Sequence, residues 1–180
     1  EVRDGRLHRL RALEHERELH LAGGEEVADH LHALEQDVVD DGEGGEHLEL
    51  AARLHHAEDW EPRAAALIER LALDEVADLP AAAYSHGQSR RLSMAMALVA
   101  QPPLLLVDEP FDGVDPEGVD TITELLVEER DRGAAIVLTT HLLDAAAIAD
   151  DVAVFRHHGL AGPFPTGDLV AEHGSLRQAW

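Results

Sequence analysis

Leu104-Leu105-Leu106-Val107-Asp108-Glu109-Pro110 decides how this chain reads, because a short apolar run passes straight into two adjacent carboxylates and a proline. A run this short and this apolar predicts a strand buried on both faces. In an open parallel sheet such a strand delivers the residues that end it to the carboxyl edge, where ligands bind. An aspartate there can hold Mg2+, usually through water. A second carboxylate one residue on, aimed differently, can orient or deprotonate an attacking water. The plainer alternative is a strand that ends in a polar turn.

Upstream, Tyr84-Ser85-His86-Gly87-Gln88 precedes a helix expected from about Gln88 to Ala100, stopped before Pro102-Pro103. Ser85 is a sound N-cap, and a free helix N-terminus with a glycine beside it suits an anion. An ordinary cap would look the same. Downstream, Phe111-Asp112-Gly113-Val114-Asp115-Pro116 leads into a helix expected from about Pro116 to Arg132, closed by Gly133. Ala135–Thr139 then reads as a second buried strand, and Thr139-Thr140-His141 ends it. A histidine at that edge could reach a phosphate, although a lone histidine carries little weight. A short helix over Leu142–Ala149, a strand over Val152–Phe155, a turn back from Gly159 to Gly167 and a helix over Asp168–Glu172 complete the pattern. Strands alternating with helices predict a parallel sheet.

On the other side of the chain, residues 46–79 read as helical. Leu48, Leu50, Ala51 and Leu54 mark one helix, broken near Trp60-Glu61-Pro62. Pro62 suits the first turn of the next, lined by Ala66, Leu67, Leu71 and Leu73. The character changes near residue 45. Residues 1–45 are polar and rich in His and Glu, with one amphipathic stretch over Glu25–Val39 and a glycine-rich linker over Asp40–Gly45.

The composition narrows the classes. The chain has 180 residues, 45% of them hydrophobic and 28% charged, enough for one domain with a real core. Its longest apolar runs fall far short of the roughly 20 residues of a membrane span, and no leader peptide is expected at Glu1-Val2-Arg3-Asp4. There is no cysteine, hence neither disulfide nor thiolate metal site. A formal net charge of −23 argues against nucleic acid and anionic lipid as partners. All 14 basic residues are arginine, a bias that fits a GC-rich and salt-adapted source. The 13 histidines sit mostly alone on polar stretches and read as solvated surface rather than metal ligands.

Taken in order and spacing, the four chemistry-bearing segments resemble the ABC-type ATPase family from about Glu46 to Trp180. That resemblance implies an α/β fold: an incomplete P-loop NTPase-like parallel sheet with helices, plus a helical subdomain. Residues 46–83 would be the helical subdomain that docks on a membrane partner, and residues 84–180 the ATPase core portion. It further implies that Ser85, Gly87 and Gln88 form the signature loop, which contacts ATP held by the opposite subunit. Asp108 would be the Walker B aspartate serving Mg2+, Glu109 the general base, Asp115 the D-loop aspartate and His141 the switch histidine. Tyr84 and His86 depart from the common Leu-Ser-Gly-Gly-Gln signature, as in drug- and polysaccharide-export ATPases, and Gly174-Ser175-Leu176 also resembles that export branch. ATP and Mg2+ are the implied cofactors. A transmembrane permease subunit and a second ATPase subunit are the implied partners, placing the chain in the cytoplasm at the inner face of the membrane.

One family element is missing. The Walker A loop needs a lysine to reach the β- and γ-phosphates, and this sequence contains none. Nor do Gly23-Gly24 or Gly42–Gly45 have the spacing of an arginine version, and Gln36 is the single candidate for the family's Q-loop glutamine. Residues 1–45 are therefore read as an atypical segment not matched to the family. Three explanations stand open: an incomplete or frame-disrupted product, a degenerate subunit that lends its signature loop to a partner, and one half of a split ATPase. Losing the loop forfeits several charge-assisted bonds to phosphate, each worth about 1.5–3 kcal/mol, so weak or absent ATP binding by the isolated chain is expected. Two other functions compete. A chromosome-maintenance ATPase of the SMC type would need long heptads before the signature, and residues 46–79 show none. A non-catalytic interaction module would use residues 1–45 as a partner-binding helix.

Overall fold

The computed structural model describes residues 42–156 and 159–179. The amphipathic stretch over Glu25–Val39 and Gln36 lie outside the described residues. In chain order the elements are α1 (Gly44–Leu54), α2 (Glu61–Arg70), a 3-10 turn (Ala81–Ala83), α3 (His86–Val99), β1 (Leu104–Asp108), α4 (Pro116–Arg132), β2 (Ala135–Thr139), α5 (Leu143–Ala146), β3 (Asp151–Arg156), β4 (Gly159–Pro165), α6 (Thr166–His173) and α7 (Leu176–Ala179).

Helix α3 is the centre of the packing. Leu92, Ala95, Leu98 and Val99 recur at helical spacing, and all four are buried. Both α1 and α2 pack on α3 and on each other, and α4 packs on it as well. The buried side chains of these helices join Leu105, Phe111 and Ala145 in one continuous hydrophobic cluster. Helix α4 turns Ile122, Leu125, Leu126 and Glu129 inward, one stripe at i, i+3, i+4 and i+7. It stops where Gly133 adopts φ 107°, a left-handed C-cap that a glycine takes without steric cost.

Two ion-pair groups tie α2 to α4. Glu129, only 4% exposed, receives Arg63 from α2 and Arg132 from its own helix. Arg63 also donates its Nε–H to the Leu98 carbonyl at 2.9 Å. Further out, Arg70 meets Glu128 at 2.6 Å; that bond holds the Glu128 carboxyl below its ordinary range and raises the guanidinium of Arg70.

The leading helix begins at Gly44, inside the stretch read as linker. Its buried face is Leu48, Ala51 and Ala52, while Leu50 and Leu54 point to solvent; on α2, Ala64 is buried and Ala66 is not. Strand β1 is not buried on both faces: Leu105 is buried, but Leu104 is 38% and Leu106 45% exposed. Its neighbour β2 repeats this, with Val137 52% exposed. The two-residue alternation places these side chains on one face, which stays exposed among the described residues, beside an apolar groove lined by Met94, Met96, Ala97, Leu104 and Leu106. Among the described residues the parallel sheet comprises β1 and β2, and the stretch read as a turn back is strand β4, antiparallel to β3. Gly159 and Pro165 at its ends, with Gly162 and Pro163 between, hid its strand character. His47, one of the histidines read as solvated, is 3% exposed.

Candidate functional site at the strand ends and the α3 turn

The register of the parallel pair builds the first half of the site. Leu104 faces Ala135 and, at the other end of the pair, Asp108 faces Thr139, so the two strands end together. Thr139 exploits this alignment. Its hydroxyl donates to Asp108 Oδ1 and accepts the backbone N–H of Glu109 at 3.1 Å. The same N–H also reaches the Thr139 carbonyl at 3.1 Å. Glu109 leaves the strand with φ 44°, the left-handed region that costs a non-glycine residue about 1–3 kcal/mol. The turn swings its side chain to the neighbouring strand, where Glu109 Oε2 accepts the His141 backbone N–H at 3.3 Å and lies 2.9 Å from His141 Nδ1. The adjacent carboxylates expected from the sequence are therefore aimed apart: Asp108 stays at the end of β1, and Glu109 turns to His141.

The second half is the turn that starts α3. Ser85 and Gln88 form a reciprocal capping box: Gln88 N–H donates to Ser85 Oγ at 3.3 Å, and Ser85 N–H donates to Gln88 Oε1 at 2.9 Å. Both side chains serve as the cap that the plainer reading allowed. Their neighbours explain the two departures from the common signature. Tyr84 Oη donates to the Val76 carbonyl at 2.6 Å, and burial pushes its phenol pKa up. His86 Nε2 lies 3.2 Å from Asp112 Oδ2 in the loop after β1. There Gly113 has φ 69°, and a Cβ on it would lie 2.2 Å from His86. A Cβ on Gly87 would come within 2.8 Å of the Gly113 carbonyl oxygen. Glycine at both positions lets the turn and the loop touch through their backbones.

Asp115 closes the arrangement. Its Oδ1 accepts the Gly118 N–H at 2.7 Å and caps α4, while its Oδ2 pairs with Arg91 of α3. These contacts, the Gly118 N–H foremost, hold the Asp115 carboxyl below its ordinary range. Of the residues singled out from sequence, Asp108, Glu109 and His141 come together at the strand ends. Ser85, Gly87, Gln88 and Asp115 gather around the α3 turn, and the loop 109–115 joins the two groups. Thr139 and Arg91 were not singled out. Aligning the two apolar runs end to end places Thr139 opposite Asp108; nothing in the sequence distinguishes Arg91 from the neighbouring Arg90.

The donor set bears on a metal. Among the described residues no cluster of three or more His, Asp or Glu side chains forms a metal cage. Asp108, with one oxygen held by Thr139, fits an ion that keeps most of its ligands as water and phosphate, which is how Mg2+ binds in nucleotide sites.

A sequence profile described as "AAA domain, putative AbiEii toxin, Type IV TA system" matches residues 5–144, more than half of the chain. The chain belongs to this family of AAA-domain proteins. The chain is also similar to ATP-binding proteins of ABC transporters. It is 36% identical over 142 residues to the daunorubicin/doxorubicin resistance ATP-binding protein DrrA of Streptomyces peucetius, covering 76% of this chain and 43% of that protein. It is also 36% identical over 103 residues to the uncharacterized ABC transporter ATP-binding protein YthP of Bacillus subtilis, covering 56% of this chain and 44% of that one. The chain thus spans less than half the length of these curated relatives. A solved structure of an ATP-binding subunit of an ABC transporter superposes with a TM-score of 0.71 at 26% identity, over 79% of this chain and 62% of that chain. The fold is accordingly the mixed α/β type of these ATPases. Among the described residues no helix is long and apolar enough to cross a membrane.

Proposed function

We propose that this chain is the ATP-engaging subunit of an ABC-type exporter, and that its described portion supplies the hydrolytic strand ends and the signature turn. The observation that carries the reading is the pairing of Asp108 with Thr139 and of Glu109 with His141 at the joint end of two parallel strands. In this reading Asp108 would hold through water an Mg2+ that would supply neutralisation of the nucleotide's phosphate charge. Glu109 accepts the proton of the attacking water. His141, just beyond the end of the neighbouring strand, orients Glu109 and donates toward the terminal phosphate.

Ser85, Gly87 and Gln88 present the α3 turn to ATP held by a second ATPase subunit, and Asp115 lies in the loop that faces the same partner. The free backbone N–H groups of the first turn and the helix dipole favour an anion there. Residues 46–83 act as the helical subdomain that meets a transmembrane permease subunit, and residues 84–180 as the core portion. Such a chain works peripherally at the inner face of the cell membrane.

The absent lysine favours a second reading, in which the chain lends its signature turn to a partner's site and hydrolyses nothing itself. Two measurements separate them. Equilibrium binding of Mg-ATP to the isolated chain is expected to be weak, and micromolar affinity would refute that expectation. In an assembly reconstituted with permease and second subunit, Glu109→Gln is expected to abolish the chain's share of ATP turnover, by 100-fold or more. Unchanged turnover in that variant rejects the catalytic reading and leaves the lending one.

A further inference from the structure

Arg91 sits where three parts of the fold meet, and its surroundings are built for it. Its side chain is 14% exposed, and its guanidinium pairs with Asp115 Oδ2. In the opposite direction Nη1 donates to the Leu71 carbonyl at 3.4 Å, just beyond the end of α2. Beneath it lies Gly118, which is buried. A Cβ at Gly118 would fall 2.9 Å from both Nε and Nη2 of Arg91, and 2.5 Å from Val114 Cγ1. The first turn of α4 is therefore stripped of a side chain at the one place where the guanidinium lies. One residue of α3 thus holds the α2 terminus with one nitrogen and the cap of α4 with another.

The same face of α3 makes a second tie one turn earlier, through His86 and Asp112 and through the Gly87–Gly113 backbone approach. We propose that Arg91 is a positioning residue that clamps the Asp112–Asp115 loop to the Ser85–Gln88 turn and registers both against the end of α2, so that the two partner-facing segments are presented as one block. The inference deepens the proposed function and rests on it for the word partner-facing. The clamp itself is a statement about this chain alone. A change at the α2 terminus, the side assigned to the permease, then reaches the loop and the turn together.

The test uses the full chain and needs no nucleotide. Backbone amide hydrogen exchange is read at Leu71–Val76, Ser85–Gln88 and Asp112–Gly118 in the parent, Arg91→Met and Arg91→Lys, alongside carboxyl NMR titration of Asp115. Parent Asp115 titrates below the ordinary carboxylate range, so its contribution to stability is complete above the unfolded pKa and is lost as pH falls through the folded one. In Arg91→Met the Asp115 pKa moves up toward the ordinary value, and exchange rises at least tenfold in all three segments while β1 and β2 keep their protection. In Arg91→Lys the charge returns without the fork, so the Asp115 titration recovers but the Leu71–Val76 segment stays fast. Exchange and titration unchanged in Arg91→Met would overturn the proposal, as would loss confined to one segment. Should Arg91→Met unfold, Asp115→Asn, which keeps the cap acceptor and drops the charge, must still loosen Ser85–Gln88; a turn left at parent protection overturns the clamp. A clamped block in an assembly that hydrolyses no ATP would remove the functional reading and leave the clamp standing.

Discussion

At Gly44 the chain leaves no room for even one carbon: a Cβ there would stand 2.1 Å from Tyr84 Oη, while at Gly45 it would meet nothing within 4 Å. Two adjacent glycines at the start of α1 are thus unequal. Gly44→Ala is expected to destabilise the fold by about 1–3 kcal/mol, because Tyr84 must abandon the Val76 carbonyl. Gly45→Ala is expected to be neutral or stabilising by up to about 1 kcal/mol. Urea denaturation midpoints of the two variants check the pair, and equal midpoints would show that Tyr84 gives way to the added methyl without cost. At this scale the sequence was informative about identity and poor about contact. Asp108, Glu109 and His141 were legible because the residues at strand ends are placed by the strands. Thr139 and Arg91 were not, since their roles depend on which side chain the fold sets opposite them. Tyr84 and His86 stood out as departures, but their partners, Val76 and Asp112, carry no local pattern.

Among the elements, α4 shows how one buried charge can hold a fold's parts together. Glu129 continues the apolar stripe of Ile122, Leu125 and Leu126, yet it is a carboxylate between Arg63 and Arg132. Removing it leaves two guanidinium groups that have lost their counter-charge and keep only carbonyl acceptors. Glu129→Ala is expected to cost about 1–3 kcal/mol, because Arg63 and Arg132 keep part of their exposure and their carbonyl acceptors at Leu98 and Pro102. Chemical denaturation followed by circular dichroism measures this, and a loss below 1 kcal/mol would mean that water already reaches the pair. The helices were well read from periodicity: α2 with Pro62 in its first turn, α3 behind Ser85 and α4 ended by Gly133 all agree to within a few residues. The strands were read less well. Their apolar runs mark where they lie, but burial of each face depends on what covers it, which no local run encodes. Strand β4 was missed because its glycines and prolines mimic a loop.

Over the whole molecule, a net charge of −23 on 180 residues, with every basic residue an arginine, sets the response to ions. Like charges repel across the compact state, and salt shortens the range of that repulsion from about 10 Å at 0.1 M to about 3 Å at 1 M. The thermal midpoint is therefore expected to rise with NaCl across that range, then level off. A midpoint that falls with salt would show that local pairs such as Arg70–Glu128 outweigh the global repulsion. The face of Leu104, Leu106 and Val137, exposed among the described residues, gives the same titration a second meaning. In dilute buffer the acidic coat keeps neighbouring molecules beyond the reach of those three side chains. Once ions thin that coat, nothing holds the leucines of one molecule away from those of the next. Light scattering should begin to climb at the ionic strength where the melting curve flattens, so the conditions that make a single molecule sturdiest are those in which a solution of them turns cloudy.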